Sequence, residues 1–198
     1  MAALVGYLLG AIPTGMIVAR IYGNVDLTSQ GSGHTGATNV LRTMGKGAAV
    51  VAFAGDFLKG LLAVLVIRYT VANGSAWPEL IAAIAAVLGH SYSVFIGFKG
   101  GRGVVTGFGA TIVAAPLLMV LAFALGVCLV LLTRYVSLGS VVGAILGGLF
   151  MCAFAVWTGD PAWAVWGVLV SGFIVIAHRD NIERLMAGTE RKLGERVT

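Results

Sequence analysis

Charged residues are scarce in this sequence. They make up 11% of the 198 residues, whereas 59% are hydrophobic, and a typical soluble domain carries about 25% charged residues. This composition excludes an ordinary water-soluble domain. The net charge of +5 therefore suits membrane orientation and the binding of anionic substrates, and no nucleic-acid partner is expected.

Residues that hold metals or nucleotides are also few. The chain has two cysteines, Cys128 and Cys152, and neither has a Cys or His neighbour at metal-ligand spacing. It contains no GxxxxGK[ST] phosphate loop and no dinucleotide fingerprint. No metal and no cofactor are therefore expected.

Long uncharged stretches predict membrane-spanning helices. Each is close to or above the ~18 apolar residues of a typical span, although Asp56 and Lys59 interrupt the second. The N-terminus lacks the positive region of a cleaved signal peptide, so the first stretch is expected to remain as a helix. The stretches are residues 1–19, 47–68, 79–98, 103–133, 135–159 and 161–178.

The stretch from 103 to 133 decides the topology. It would form a helix of about 46 Å, too long for a ~30 Å hydrocarbon core. As one span it gives six spans, and the Lys and Arg residues divide six against seven across the membrane. If the chain turns at Pro116, they divide twelve against one, with only Arg68 outside. The positive-inside rule favours the turn.

We therefore predict a single all-α polytopic membrane domain over residues 1–198, with its N-terminus outside and its C-terminus in the cytoplasm. The fourth helix is long enough only for a half-crossing or a re-entrant segment, which other protein must cover. Five spans with a re-entrant hairpin fit the charges equally well. The predicted helices, about seven, are residues 2–22, 47–70, 78–98, 104–115, 117–133, 137–157 and 162–178.

This topology brings three polar segments to one face. GSGHTGATNVLRTMGKG (31–47) can fold its backbone N–H groups around an anion, or remain a flexible loop. GFKGGRGVVTG (97–107) interleaves two cations with glycines before a helix, as a phosphate cradle or a basic turn would. HRDNIERLMAGTERKLGE (178–195) reads as a solvated helix whose His178 and Asn181 can also face one site.

Three ionisable residues lie within predicted spans, where such groups are functional by default. His90 can instead bond a neighbouring carbonyl. Asp56 and Lys59, three residues apart on one helix, can instead pair with each other. Structural and functional interpretations of all three stay open at this point.

Two phosphate-binding segments on one face, without a nucleotide signature, suggest a reaction between two phosphorylated molecules. GSGHTGATNVLRTMG (31–45), GHSYSVFIGFKGGRGVVTG (89–107) and HRDNIERLMAGTE (178–190) resemble, in this order, the motifs of the bacterial acyl-phosphate:glycerol-3-phosphate acyltransferases. Shorter matches are GAIPTG, GDFLKG and RYVSLGS. The resemblance covers essentially the whole chain.

The resemblance implies a seven-helix enzyme of the bacterial inner membrane whose active site faces the cytoplasm. It would transfer an acyl chain from acyl phosphate to the 1-hydroxyl of sn-glycerol 3-phosphate in phospholipid synthesis, giving 1-acylglycerol 3-phosphate and inorganic phosphate. Neither acyl-CoA nor a cofactor is implied. Membrane lipids surround the chain, and a monomer is expected.

The resemblance also assigns residues. Catalytic roles fall to His178 and Asn181, and Glu190 matches an acid whose role the sequence does not explain. Two positions depart from the family pattern: His34 stands where Asn is usual, and Arg102 where Lys is usual, a change that keeps charge but not geometry. The implied substrate-binding residues are Ser32, Thr38, Asn39, Arg42, Lys99, Gly100, Gly101, Arg102, Gly103 and Ser140.

Acyl phosphate is already activated, so direct attack by the glycerol hydroxyl is expected, with His178 or the substrate's own phosphate taking the proton. An acyl-CoA-dependent enzyme would carry HxxxxD, but the segments that begin at His34, His90 and His178 end in Asn, Phe and Glu. A transporter would carry polar residues at the membrane midplane. Here nearly all of them lie at the predicted cytoplasmic edge.

Overall fold

The computed structural model describes residues 1–195, so Arg196, one of the cations counted above, lies outside them. Over that range every regular element is a helix, and the all-helical fold is confirmed. The elements are α1 (Ala2–Ala11), α2 (Thr14–Gly23), α3 (Ala37–Met44), α4 (Lys46–Thr70), α5 (Ala76–Ser91), a 3₁₀ turn (Val94–Ile96), α6 (Val104–Thr111), α7 (Pro116–Thr133), α8 (Val136–Thr158), α9 (Ala162–Ala177) and α10 (Arg179–Met186).

Five segments are long and apolar enough to cross a membrane: α1 with α2, α4, α5 with its 3₁₀ turn, α7 and α8. A sixth is α9 joined to α10, which bends by 59° between them. Helices α4, α7, α8 and α9 begin and end within one residue of the predicted bounds. Helix α6, about 12 Å long, corresponds to the predicted short fourth helix, although it ends at Thr111 rather than at residue 115.

The first predicted helix, residues 2–22, is wrong as a continuous element because it breaks at Ile12 and Pro13. Proline has no N–H to donate and disfavours helical geometry in the residue before it. The break exposes carbonyl groups that need partners inside the bundle. Lys59 Nζ donates to the Ile12 carbonyl at 2.9 Å, and Ser93 Oγ donates to the Ala11 carbonyl at 2.5 Å.

Asp56 is the centre of a buried polar cluster beside this break. Its carboxylate lies 2.8 Å from Lys59 Nζ and 3.3 Å from His90 Nδ1, and it accepts a hydrogen bond from the Thr14 hydroxyl. The pairing of Asp56 with Lys59 is therefore confirmed. His90 approaches a carboxylate through Nδ1 rather than the carbonyl that the sequence suggested.

The third predicted helix, residues 78–98, ends early at Ser91. The chain then makes the 3₁₀ turn and enters the left-handed region at Gly97 (φ 64°) and Phe98 (φ 60°), which a continuous helix cannot include. In the first polar segment, by contrast, the structure contains a helix that was not predicted. Residues predicted as a glycine-rich loop contain α3, which begins after Gly36 and ends at Gly45 with φ 88°.

Helix α6 is covered by protein, as a half-crossing segment must be. It packs against α4 backbone to backbone: a Cβ on Gly60 would lie 2.1 Å from the Thr106 carbonyl oxygen, and one on Gly109 would lie 2.1 Å from the Phe57 carbonyl oxygen. Only glycine allows this approach. The close contact fixes the start of α6, which overlaps the end of the second polar segment (97–107).

The C-terminal tail joins the turn between α7 and α8 to the first glycine segment. Leu193 N–H donates to the Arg134 carbonyl at 2.7 Å, the Arg134 guanidinium donates to the Leu193 carbonyl at 2.8 Å, and Arg191 donates to the Gly31 carbonyl at 3.3 Å. Arg134 and the first glycine segment therefore share one end of the bundle.

Removing Lys59 tests the buried cluster. We expect Lys59→Met to lower the free energy of unfolding by about 3–5 kcal/mol, because it leaves the Asp56 charge buried without its cation. Unfolding of the purified protein in detergent measures this. The double variant Asp56→Asn/Lys59→Met should recover part of the loss, and Arg20→Met, at an exposed position, should change little. Wild-type stability in Lys59→Met would contradict the cluster's structural role.

Candidate active site

The first and second polar segments (31–47 and 97–107), both rich in glycine and termed the glycine segments, meet at His34. Its Nδ1 lies 3.1 Å from the Gly100 carbonyl oxygen, and because a carbonyl only accepts, Nδ1 carries the proton and Nε2 is left as an acceptor. Burial and the nearby charge of Arg102 lower the pKa of His34, which favours this neutral form. His34 therefore joins one segment to the other.

Asn39 shapes the first segment. Its Oδ1 accepts the Ser32 N–H at 3.0 Å, and its Nδ2 donates to the carbonyls of Leu27 at 3.1 Å, Gln30 at 3.0 Å and His34 at 2.9 Å. The amide is thus occupied by loop backbone and has no spare donor for a substrate. This differs from the binding role that the resemblance implied for Asn39.

The second segment lies against His90. A Cβ on Gly100 would lie 2.1 Å from the His90 carbonyl oxygen, and one on Gly101 would lie 2.2 Å from His90 Nε2. Gly103 adopts φ 79° at the start of α6. These glycines let the turn pass close to α5. Lys99 is exposed and lines neither cavity described below, which also differs from its predicted binding role.

The segments enclose a polar chamber of about 250 Å³. Four of its lining side chains are arginines and two are carboxylates, so its charge is positive. Of the predicted ligands, Ser32, Arg42 and Arg102 are present, together with the predicted catalytic Asn181. The lining residues are Gly31, Ser32, His34, Arg42, Arg102, Asp180, Asn181, Arg184, Glu190 and Arg191.

Arg42 and Arg102 lack partners that buried guanidinium groups normally have. The Nε atom of each is buried and has no hydrogen-bond partner among residues 1–195. Burial lowers the pKa of both, and the charge of Arg184 lowers that of Arg102 further. Arginine stays protonated under such shifts. An anion in the chamber would satisfy both groups.

Glu190 ties the C-terminal segment to the rest of the chamber. Its carboxylate accepts hydrogen bonds from Ser137 Oγ at 2.8 Å, Asn181 Nδ2 at 2.7 Å and Arg184 Nε at 2.7 Å. Burial alone would raise the pKa of Glu190, but these three donors outweigh it and lower the pKa. Ser137 was missed from the sequence because it lies 53 residues from Glu190.

His178 lies where α9 ends and α10 begins. Its Nδ1 is 2.8 Å from the Ile174 carbonyl oxygen, so Nδ1 is the donor and Nε2 is free to accept. His178 is buried, with 3% of its surface exposed. A neutral imidazole with a free Nε2 is able to take a proton.

A larger apolar groove of about 630 Å³ continues from the chamber. The two cavities share Ser32, His34, Arg42, Arg102, Asn181 and Glu190. Thr38, Ser140 and His178 line the groove near this junction, and side chains of α4, α6, α7, α8 and α9 form its walls. A cationic chamber that opens into an apolar groove suits an amphipathic ligand with an anionic head. Residues 1–195 contain no cluster of His, Cys, Asp or Glu placed to hold a metal.

The family model of glycerol-3-phosphate acyltransferases matches residues 1–188. The chain belongs to this family. The glycerol-3-phosphate acyltransferase of Thermus thermophilus is 47% identical over 98% of this chain and 94% of that protein. Glycerol-3-phosphate acyltransferase 1 of Deinococcus radiodurans is 43% identical over 100% of this chain and 97% of that protein.

Solved structures agree with the family assignment. Crystal structures of PlsY, an integral membrane glycerol 3-phosphate acyltransferase, cover 98% of this chain and 94% of theirs. The glycerol 3-phosphate form is 38% identical with a TM-score of 0.88, and the lysophosphatidic acid form is 37% identical with a TM-score of 0.86. The resemblance recognised in the sequence is confirmed: this chain is an integral membrane acyltransferase.

Substitution of the arginines tests the chamber. We expect Arg42→Ala and Arg102→Ala to lower acyl transfer by roughly ten-fold to more than a hundred-fold, because a charge-assisted hydrogen bond contributes about 1.5–3 kcal/mol. Initial rates over a range of glycerol 3-phosphate concentrations measure this. Arg102→Lys should retain far more activity than Arg102→Ala if charge matters more than guanidinium geometry. Arg20→Ala is the exposed control, and near-normal rates in both alanine variants would make these arginines topological signals only.

Proposed function

We propose that this enzyme transfers an acyl chain from acyl phosphate to the 1-hydroxyl of sn-glycerol 3-phosphate, giving 1-acylglycerol 3-phosphate and inorganic phosphate. The observation that carries the proposal is the arginine-lined chamber opening directly into a long apolar groove. Two phosphorylated molecules repel each other, and four arginines offset that repulsion. Solved relatives in glycerol 3-phosphate and lysophosphatidic acid forms support the acceptor and the product.

In this proposal glycerol 3-phosphate binds in the polar chamber. Arg42 and Arg102, with their unpartnered Nε atoms, hold phosphate oxygens, and Ser32 contributes a hydroxyl from the first segment. The acyl chain lies in the apolar groove, where burial of each methylene contributes about 0.8 kcal/mol. The donor's carbonyl carbon then sits at the junction of the two cavities, near Ser140 and His178.

The chemistry is a single acyl transfer. The 1-hydroxyl oxygen attacks the carbonyl carbon, a new ester C–O bond forms, and the bond from that carbon to the phosphate oxygen breaks. The leaving phosphate keeps the electron pair. The hydroxyl proton passes either to His178 Nε2, and from there to phosphate, or directly to a substrate phosphate. Arginine charges stabilise the developing negative charge.

The size of the chamber supports acyl phosphate over acyl-CoA as donor. Its volume of about 250 Å³ is below the ~300 Å³ at which pockets for drug-sized ligands begin. This volume suits glycerol 3-phosphate or a phosphate group better than an adenosine nucleotide. Among residues 1–195, no separate soluble domain is available to hold one.

The orientation proposal rests on charge. We infer that the enzyme lies in the bacterial inner membrane with its chamber facing the cytoplasm, the side on which it would act in phospholipid synthesis. We also infer that it is a monomer. Twelve of the 13 Lys and Arg residues then lie inside, as the positive-inside rule favours. The remaining cation, Arg68, pairs with Glu79 at 2.7 Å near the opposite end.

Donor specificity is the central test of this function. Purified enzyme in detergent should release inorganic phosphate from palmitoyl phosphate only when glycerol 3-phosphate is present, and should form 1-acylglycerol 3-phosphate in equal amount. Palmitoyl-CoA should give no product. Robust turnover of the thioester, or phosphate release without the acceptor, would defeat direct transfer from acyl phosphate.

Single-cysteine labelling tests the orientation. On a background with Cys128 and Cys152 replaced, Ser29→Cys, two residues before the first polar segment, should react with a membrane-impermeant maleimide only after permeabilisation. Pro161→Cys, between α8 and α9, should react in intact cells; both positions are exposed. The reverse pattern would turn the chamber to the outside and overturn the proposed orientation.

A further inference from the structure

The apolar groove runs along one face of α8. Ser140, Gly143, Gly147 and Met151 all line it, and their spacing of three or four residues puts them on the same side of a helix. The polar end of this row is fixed because Ser137, one turn earlier, is hydrogen-bonded to Glu190. Position along α8 therefore measures distance from the chamber.

Large side chains lie at the end of the groove farthest from the chamber. Met151 and Trp166 are fully buried, Met119 is 4% exposed, and all three line the cavity. From Ser140 to Met151 the helix rises about 16 Å, and from His178 to Trp166 along α9 about 18 Å. One leaflet, half of the ~30 Å hydrocarbon core, is about 15 Å deep. The groove thus matches the length of a membrane acyl chain.

The glycines of α8 fall into two classes. Gly139 and Gly148 permit helix contacts: a Cβ there would lie 2.4 Å from the Gly126 carbonyl oxygen and 2.5 Å from Ser171 Oγ, respectively. Gly143 and Gly147 do not need to be glycine for packing. A Cβ at Gly143 would meet nothing nearer than 3.5 Å, and one at Gly147 nothing nearer than 3.8 Å.

A methyl group at either of the second pair would touch α7 without overlap, and because few atoms lie nearby, a larger side chain there can reach into the groove that both positions line. Gly147 lies about 6 Å deeper than Gly143, since four residues separate them. Glycine in a helix interior is destabilising by roughly 0.5–1 kcal/mol relative to alanine. Its presence at two positions with room for a methyl group therefore keeps space open for something other than protein.

We propose that Gly143, Gly147 and Met151 form a ruler that determines which acyl-chain lengths the enzyme uses. The inference rests on the proposed function, because it takes the acyl chain of the donor as the occupant of the groove. The two glycines keep the upper and middle groove wide, and Met151 sets its floor. Side chains added at the glycines shorten the accepted chain, and a smaller residue at 151 lengthens it.

The test compares kcat/KM for decanoyl, lauroyl, palmitoyl and stearoyl phosphates. Gly147→Val should lower the value for palmitoyl phosphate while sparing decanoyl phosphate, and Gly143→Val should lower both. Each pair of methylenes forced from the groove should cost about ten-fold in kcat/KM. Met151→Ala should raise kcat/KM for stearoyl phosphate relative to kcat/KM for palmitoyl phosphate. The order of these effects along α8 is what a general packing defect would not reproduce.

Gly172→Val is the matched control. Gly172 lies on α9 outside the groove lining, and a Cβ there meets nothing within 4 Å, so the chain-length profile should stay as in the wild type. If the valine variants fold poorly, Gly147→Ala and Met151→Ala decide, with monodisperse elution in detergent as the folding check.

The outcomes separate the ruler from the function on which it rests. Active variants with the wild-type chain-length profile, or an equal loss for all four donors, would overturn the ruler alone. Wild-type enzyme that uses no acyl phosphate of any length would overturn the proposed donor and the ruler with it. Opposite shifts in Gly147→Val and Met151→Ala would establish the ruler.

Discussion

The carboxylate of Asp56 is the group on which the polar end of this bundle depends. It holds Lys59, whose ammonium group also satisfies the carbonyl freed where the first span breaks. It also lies beside His90, the residue against which Gly100 and Gly101 pack. A charge buried among apolar helices is tolerated only when such partners surround it. The second glycine segment is thus packed beside a residue that contacts a buried ion pair.

The arginines of the chamber are only partly balanced by protein carboxylates. Glu190 neutralises Arg184 and fixes Asn181 and Ser137, so the C-terminal segment is held without a substrate. Within residues 1–195, the buried Nε atoms of Arg42 and Arg102 have no hydrogen-bond partner. Unsatisfied cations in a protein of low dielectric are costly unless a ligand completes them. A bound anion would therefore gain favourable interactions with these guanidinium groups. A protein carboxylate in the same place would already satisfy them, and that gain would be lost.

The two departures from the family pattern have structural consequences. His34 reaches across to the Gly100 carbonyl, so the residue that replaces an amide still links the two glycine segments. Arg102 brings a planar fork where an ammonium group is usual, which suits two oxygens of one phosphate. Burial and the nearby charge of Arg184 lower the pKa of this half-buried fork, and a bound dianion would offset the repulsion between the two arginines.

Sequence alone determined the membrane class, four helices to within one residue, the half-crossing segment and the three polar segments, because long apolar runs and clustered cations are properties of local composition. It missed the break at Ile12 and the early end of α5, since the carbonyl partners there, Lys59 and Ser93, are distant in the chain. The family resemblance named most residues of the site, but only tertiary contacts separated their roles. These contacts bond the Asn39 amide to its own loop, leave Lys99 exposed and provide Glu190 with three hydrogen-bond donors. These contacts depend on which side chains the fold brings together, and they leave no periodic signal for a sequence to carry.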